Sequence, residues 1–339
     1  MRIILDAFGG DNAPDEAIKG AAQAVKAYGH TVLLVGQESV IRERMAALHI
    51  PEDGLEILNA TTTIAMDDEP RSILKEKKDC SMAVGLTALS EGKGDAFVSG
   101  GSTGALIMGS TFLVKRIKGV SRAALGGILP SPRHPSLLLD MGANVDCRPE
   151  MLLQFAHMGS IFMSNIVKNG EPATVGLLNV GTEDTKGGEL QLEAFNLLKE
   201  SNLHFIGNVE AREVLPGAAD VVVTDGFSGN ILLKGMEGAI GTVMGAIKKA
   251  FLTNLKTKLA GLLVKSRISE LKAEFGTKEY GGAILLGIRK PVIKAHGNSD
   301  ALAFQHAIRV AGETVSSQVV EKISDAIQAS KLNKEDTDA

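Results

Sequence analysis

With 339 residues, 44% hydrophobic and 22% charged, and a formal net charge of −4, the chain has the make-up of a globular protein of one large or two medium domains. Its charge gives no global reason to bind nucleic acid, and with no Trp and two Tyr it has little on which to stack bases. No run approaches the roughly 18 apolar residues of a membrane span, and Cys80 and Cys147 lack metal or redox spacing, which points to a reducing, cytoplasmic setting.

In chain order, strand and helix signals alternate. MRIILDAFGG is too short in its apolar part for a signal peptide and reads as a first strand. PDEAIKGAAQAVKAYG, 14–29, has Pro and acids in its first turn and Gly at its end, as a helix should. A strand at 31–36, a charged helix at 37–49 and a strand at 55–58 follow. Glu69-Pro70 opens a helix over 70–90, and a strand at 95–99 feeds a helix over 103–115. The segments 124–130 and 136–142 are two close strands of a hairpin-like insertion. Next come helix 149–168, strand 173–180, helix 187–201, strand 203–209, strand 221–225 and helix 229–250. Strand signal returns at 282–296, and Asn298-Ser299-Asp300 caps a long final helix to about 330. Residues 331–339 form a polar tail.

Alternation of this kind predicts a three-layer α/β/α fold with a mostly parallel sheet. The chain reads as one large domain over 1–330, divisible into two lobes: about 1–120 with 282–330, and about 121–281.

Five apolar runs end in clusters of small residues: IILDAFGGDN (3–12), DAFVSGGSTG (95–104), LLLDMGAN (137–144), VGLLNVGTED (175–184) and VVVTDGFSGN (221–230). Strand ends of this type leave backbone N–H groups pointing outward. Several on one edge of a parallel sheet would make a donor-rich crevice for an anion. No GxGxxG, Walker loop or HExxH occurs, so neither a nucleotide fingerprint nor a metal site is expected, and no cofactor is implied. Gly100-Gly101-Ser102-Thr103-Gly104 fits GxSxG between strand and helix, with Asp225 and His296 following in a hydrolase's order. An anion-holding loop accounts for the same residues without a triad. Lys186 in GTEDTKG is a candidate point charge for phosphate, or a solvated loop lysine. In TDGFSGN, Asp225 reads either as a site residue or as a helix N-cap.

Residues 248–272 carry Lys248, Lys249, Lys256, Lys258, Lys265, Arg267 and Lys272 against Glu270 alone, beside leucines at helical spacing. A basic amphipathic helix there suits an anionic membrane surface or an acidic protein; a helix docked on its own core or on a dimer partner is the alternative.

DAFGGDNAP (6–14), SGGSTGALIMG (99–109), LLLDMGAN (137–144), NVGTEDTKG (179–187) and VVTDGFSGN (222–230) together resemble the PlsX phosphate acyltransferases of bacterial phospholipid synthesis. Order and spacing agree along essentially the whole chain; Phe8 stands where many members have Met. The resemblance implies transfer of a long-chain acyl group from acyl carrier protein to inorganic phosphate, giving acyl phosphate for a membrane-bound glycerol-3-phosphate acyltransferase. It also implies a fold like the isocitrate/isopropylmalate dehydrogenases and phosphotransacetylases, a homodimer, and peripheral association with the inner face of the membrane.

For that chemistry the expected catalytic residues are Lys186, Asp225 and Asn230. Gly9, Gly10, Asp11, Asn12, Gly100, Gly101, Ser102, Thr103, Gly104, Asn144, Gly181, Thr182 and Gly226 would bind phosphate or the acyl group. Lys256, Lys258, Leu259, Leu262, Lys265 and Arg267 would meet membrane or carrier protein. A serine hydrolase or thioesterase using Ser102, and a non-catalytic binder of the acyl carrier, are the competing readings.

Overall fold

The computed structural model describes residues 1–131, 133–274 and 281–335. Its elements in chain order are β1 (Arg2–Asp6), α1 (Asp15–Tyr28), β2 (Thr31–Gly36), α2 (Glu38–Ala47), β3 (Leu55–Asn59), α3 (Ser81–Ser90), β4 (Ala96–Ser99) and α4 (Thr103–Gly109). The middle holds β5 (Ala124–Leu129), β6 (Ser136–Leu139), α5 (Pro149–Ile166), β7 (Thr174–Asn179), α6 (Glu189–Lys199), β8 (His204–Glu210), α7 (Ala211–Val214) and β9 (Val221–Val223). The chain finishes with α8 (Gly226–Phe251), α9 (Leu255–Glu274), β10 (Ala283–Leu286), β11 (Val292–Lys294), α10 (Ala301–Ser316) and α11 (Val319–Glu335).

All strands join one mixed sheet of order β3-β2-β1-β4-β11-β10-β5-β6-β9-β7-β8. Helices cover both faces, so the strands are apolar on both sides rather than alternating. Ile3 and Leu5 face a core shared with α1, α5, α6, α10 and α11. Ile4 between them faces a second core shared with α3, α4 and the start of α8.

Most strand pairings are parallel, as expected, and the departure lies in how two parallel groups are set against each other. β1, β2, β3, β4 and β11 are parallel, and β6, β9, β7 and β8 are parallel. Between these groups lie three successive antiparallel pairings, β11–β10, β10–β5 and β5–β6. An odd number of reversals turns the second group against the first. The five small-residue turns therefore do not share one sheet edge: those after β1 and β4 lie at one edge, those after β6, β7 and β9 at the other.

Three expected helices are also interrupted. Over 70–90, Pro70–Leu74 forms a 3₁₀ turn, and α3 starts afresh at Ser81 behind Cys80, whose Sγ accepts the Ala83 N–H at 3.4 Å. The basic segment 248–272 is split between the end of α8 and α9. Asn254 and Thr257 exchange side-chain and backbone hydrogen bonds of 3.0 Å there, a reciprocal cap that begins a new helix. The final helix breaks at Gln318, where φ is 54°. Beyond it α11 runs to Glu335, five residues into the expected polar tail, and 336–339 lie outside the described residues.

Candidate active site

The turns after β1, β4 and β11 close on one another. Gly9 is required by this packing: a Cβ there would lie 2.7 Å from the Gly101 nitrogen and 2.7 Å from Ser99 Oγ. Gly10 takes φ 117°, open to glycine and strained for other residues. Asp11 donates its N–H to the Gly297 carbonyl at 2.7 Å, and Asn12 Nδ2 donates to the Ser299 carbonyl at 3.4 Å. Ser102 caps α4, its Oγ accepting from Ala105 N–H at 3.5 Å. The N–H groups of Ser102, Thr103 and Gly104 open that helix and have no intrahelical acceptor.

At the base of this cluster sits Lys294, 8% exposed at the end of β11. Its Nζ donates to the Gly100 carbonyl at 3.2 Å and to the Ala295 carbonyl. Burial pushes the ammonium down to about 8, with Asp6 and Asp11 pulling the other way. Asp6 is itself buried, and burial raises its carboxyl above the usual range despite hydrogen bonds that include Ser99 Oγ at 2.7 Å.

The turns after β6 and β9 form a second cluster. Asp140, fully buried, accepts from the N–H groups of Gly142, Ala143 and Asn144 at 3.1, 2.9 and 2.8 Å. Asn144 spends its side-chain amide on Asp140 at 2.8 Å and on the Ala123 carbonyl at 2.7 Å. Its own carbonyl accepts the Gly226 N–H at 2.7 Å. Asp225 is the N-cap of α8, accepting from Ser228 N–H at 2.8 Å.

A cleft of about 720 Å³ joins the two clusters across the sheet face. Gly127 and Ala283, neighbours on β5 and β10, belong to its floor. Gly101, Thr103, Lys294 and His296 line one wall; Gly142, Asn230, Lys234 and Glu237 line the other. Asn230, Lys234 and Glu237 share one side of α8 by their spacing. A tetrahedral anion here would meet a buried cation, a hydroxyl, an amide and open backbone donors.

The structure thus brings Gly101, Thr103 and Asn230 to the cleft itself, and sets Gly9, Gly10, Gly100, Ser102, Asn144, Asp225 and Gly226 behind it as supports. Asp11, Asn12 and Gly104 belong to the first cluster's outer turns, where Gly104 packs beside Pro70. Among the described residues no hydrogen bond joins Ser102, Asp225 and His296. Gly181, Thr182 and Lys186 lie apart, on the turn after β7. Exposed there, Lys186 has Glu183 as an ion-pair partner at 3.9 Å. Sequence reasoning missed Lys294 and Lys234. A lysine inside the apolar run PVIKAH was the available signal for the first.

Beyond its first turns α8 leaves the body, and α9 folds back beside it. Thr257, Gly261, Val264 and Ile268 are half-buried. Leu255, Leu259, Leu262 and Leu263 are 60–85% exposed. At about 100° per residue the leucines form a stripe opposite the half-buried side. Lys256 and Arg267 flank it on one side, Lys258 and Lys265 on the other. Among the described residues no helix is long and apolar enough to cross a membrane.

The model of the fatty acid synthesis protein family matches residues 1–322. A phosphate acyltransferase of Lysinibacillus sphaericus is 44% identical over 330 residues, covering 97% of this chain and 98% of that protein. One from Bacillus licheniformis is 45% identical, again covering 97% and 98%. Among solved structures, a phosphotransacetylase from Streptococcus pyogenes superposes with a TM-score of 0.61 at 17% identity, covering 95% of this chain and 94% of that one. A Staphylococcus aureus phosphotransacetylase gives 0.58 at 17%, covering 94% of each. At that identity the likeness is one of fold.

Proposed function

The chain belongs to the fatty acid synthesis protein family, whose members at 44% and 45% identity are phosphate acyltransferases, and we propose that it moves a long-chain acyl group from acyl carrier protein to inorganic phosphate. A phosphate oxygen attacks the thioester carbonyl, the carbon–sulfur bond breaks, and the carrier's thiol leaves as the acyl phosphate forms. Phosphate is already a nucleophile, so the protein's tasks are to orient it and to stabilise the developing oxyanion. The observation that carries this reading is the buried Lys294 ammonium beside the Gly100–Thr103 turn, a cation in the wall of a cleft wide enough for two substrates.

Lys294 neutralises phosphate, while Thr103 and Asn230 donate to phosphate or oxyanion. Asp225 and Asn144 act behind them, by fixing the start of α8 and the turn after β6. Lys186 supplies further positive charge when its turn, bounded by Gly181 and by Gly187–Gly188, swings toward the substrates. The enzyme works as a homodimer on the cytoplasmic face of the membrane, where it hands acyl phosphate to a membrane-bound glycerol-3-phosphate acyltransferase. The outward leucine stripe of α9, with cations on both flanks, supports contact with anionic lipid.

The test is to supply acyl-carrier thioester with and without phosphate and to trap acyl phosphate as its hydroxamate. Phosphate-dependent hydroxamate is expected. Release of free fatty acid at one rate in both conditions, abolished by Ser102→Ala, would establish the hydrolase instead.

A further inference from the structure

A second cavity, of about 730 Å³, lies beside the cleft, and of the residues given a role above only Asn144 lines it. Lys115, Arg116, Lys118 and Arg122 line it, and no acidic residue does. Ile107, Met108 and Val120 give it apolar wall, with Phe112 at its edge, 58% exposed. Arg116 is tied down by the carbonyls of Val120 and Ser121. Lys115, Lys118 and Arg122 are exposed, and among the described residues none of the three has an ion-pair partner.

Two stretches of chain run from the cleft into this cavity. The helix that gives Thr103 to the cleft gives Ile107 and Met108 to the cavity, then widens into π-helical turns over Ser110–Lys115 and supplies Thr111 and Phe112. The turn that gives Met141 and Gly142 to the cleft gives Ala143 and Asn144 to the cavity. From Thr103 to Phe112 is nine residues, a rise of roughly 14 Å at helical pitch. Unopposed cations at the far end of a half-apolar path fit an acidic macromolecule that feeds a flexible, phosphorylated arm toward a reacting centre.

We propose that this cavity is the docking site of the acidic carrier protein that presents the acyl thioester, with the phosphodiester of its arm held by Lys118 and Arg122 and the arm laid along α4. The assignment rests on the acyl-transfer reading, and it divides the two basic surfaces of the chain: carrier at 115–122, lipid at α9. Complementary charge of this kind acts chiefly on encounter and alignment, and salt weakens it.

The experiment compares the full-length parent with Lys118→Ala/Arg122→Ala and with Lys118→Glu; Lys115, held at φ 75°, is left unaltered. Direct binding of acyl carrier protein is measured at two salt concentrations. Turnover is measured with acyl-carrier thioester and with acyl-pantetheine, which has neither carrier nor phosphate. The expected result is a tenfold or greater loss of carrier affinity and a matching rise in carrier KM, with the KM for phosphate and turnover of acyl-pantetheine unchanged. Carrier affinity within twofold of the parent would overturn the proposal. So would equal losses with both donors, or weakened binding to anionic vesicles with carrier affinity intact. A parent that binds carrier but transfers nothing to phosphate would sink the functional reading, while the binding comparison would still decide the docking site.

Discussion

The Lys294 ammonium donates to the Gly100 carbonyl oxygen across 3.2 Å, joining the end of β11 to the glycine turn after β4. Burial has lowered its pKa to about 8 from an ordinary 10.5. Near neutrality it is charged, and phosphate binding would reinforce that charge. As pH rises through 8 the free enzyme loses the proton, so the KM for phosphate should climb, by up to tenfold per unit once titration is complete. Lys294→Met should raise the KM at pH 7 by on the order of a hundredfold, equivalent to about 3 kcal/mol, and should flatten the alkaline limb. A KM that stays level from pH 7 to 9.5 in the parent would remove Lys294 from phosphate binding.

The same ionisation is linked to stability with a definite sign. Between about 8 and 10.5 the unfolded chain holds a proton that the folded chain has lost, so stability gains a positive slope with pH there. Lys294→Met should abolish that component, which denaturant titrations at pH 7.5 and 9.5 would read as a smaller pH increment than the parent's.

These residues also mark how far the sequence was legible. The bounds of β2 and the hairpin character of 124–142 follow from local pattern, because apolar runs and turn residues are local signals. Strand direction relative to distant neighbours is not local. The run VVVTD carries no trace that its sheet partners run against β4, and so local pattern alone places the turns at 99–104 and 221–230 on one edge. Lys294 was hidden for a related reason: inside an apolar strand, a lysine becomes a buried cation only through partners supplied by the turn after β4 and by Asp6. The leucines of α9 were legible as a stripe, but whether a stripe faces core or solvent depends on packing.

Lys186 offers a test in which the fold is not at stake, since it is exposed and its ion-pair partner Glu183 is 3.9 Å away. Lys186→Met should leave the thermal midpoint within about a degree, as surface substitutions do, and reduce phosphate-dependent acyl transfer at least tenfold. Turnover within twofold of the parent would show that the glycine-bounded turn plays no part.

Gly229 packs α8 against the turn after β6: a Cβ there would sit 1.9 Å from the Asp140 carbonyl oxygen, which is backbone and cannot swing aside. Gly229→Ala should therefore cost about 1–3 kcal/mol of stability and move Asn230, its neighbour in the cleft. Differential scanning calorimetry reads the first effect and the KM for phosphate the second. A stable variant with an unchanged KM would contradict the close approach of α8 to Asp140.

The exposed leucines of α9 make a further prediction about where the enzyme works. Burying four leucines in a lipid interface is favourable by roughly 1.5–3 kcal/mol each at full burial, and cations near an anionic surface add about 1 kcal/mol each. Both contributions are needed, because leucine burial alone predicts binding to any bilayer, whereas the flanking lysines predict a preference for anionic ones. Lys256→Glu/Lys258→Glu should thus abolish the preference for anionic over neutral vesicles in a flotation assay, and the parent's binding should fall between low and high salt. Acyl transfer in detergent-free solution should be unchanged by the same pair, since both side chains are exposed and neither lines the cleft. Vesicle binding that ignores charge and salt alike would leave the leucine stripe to a protein partner instead.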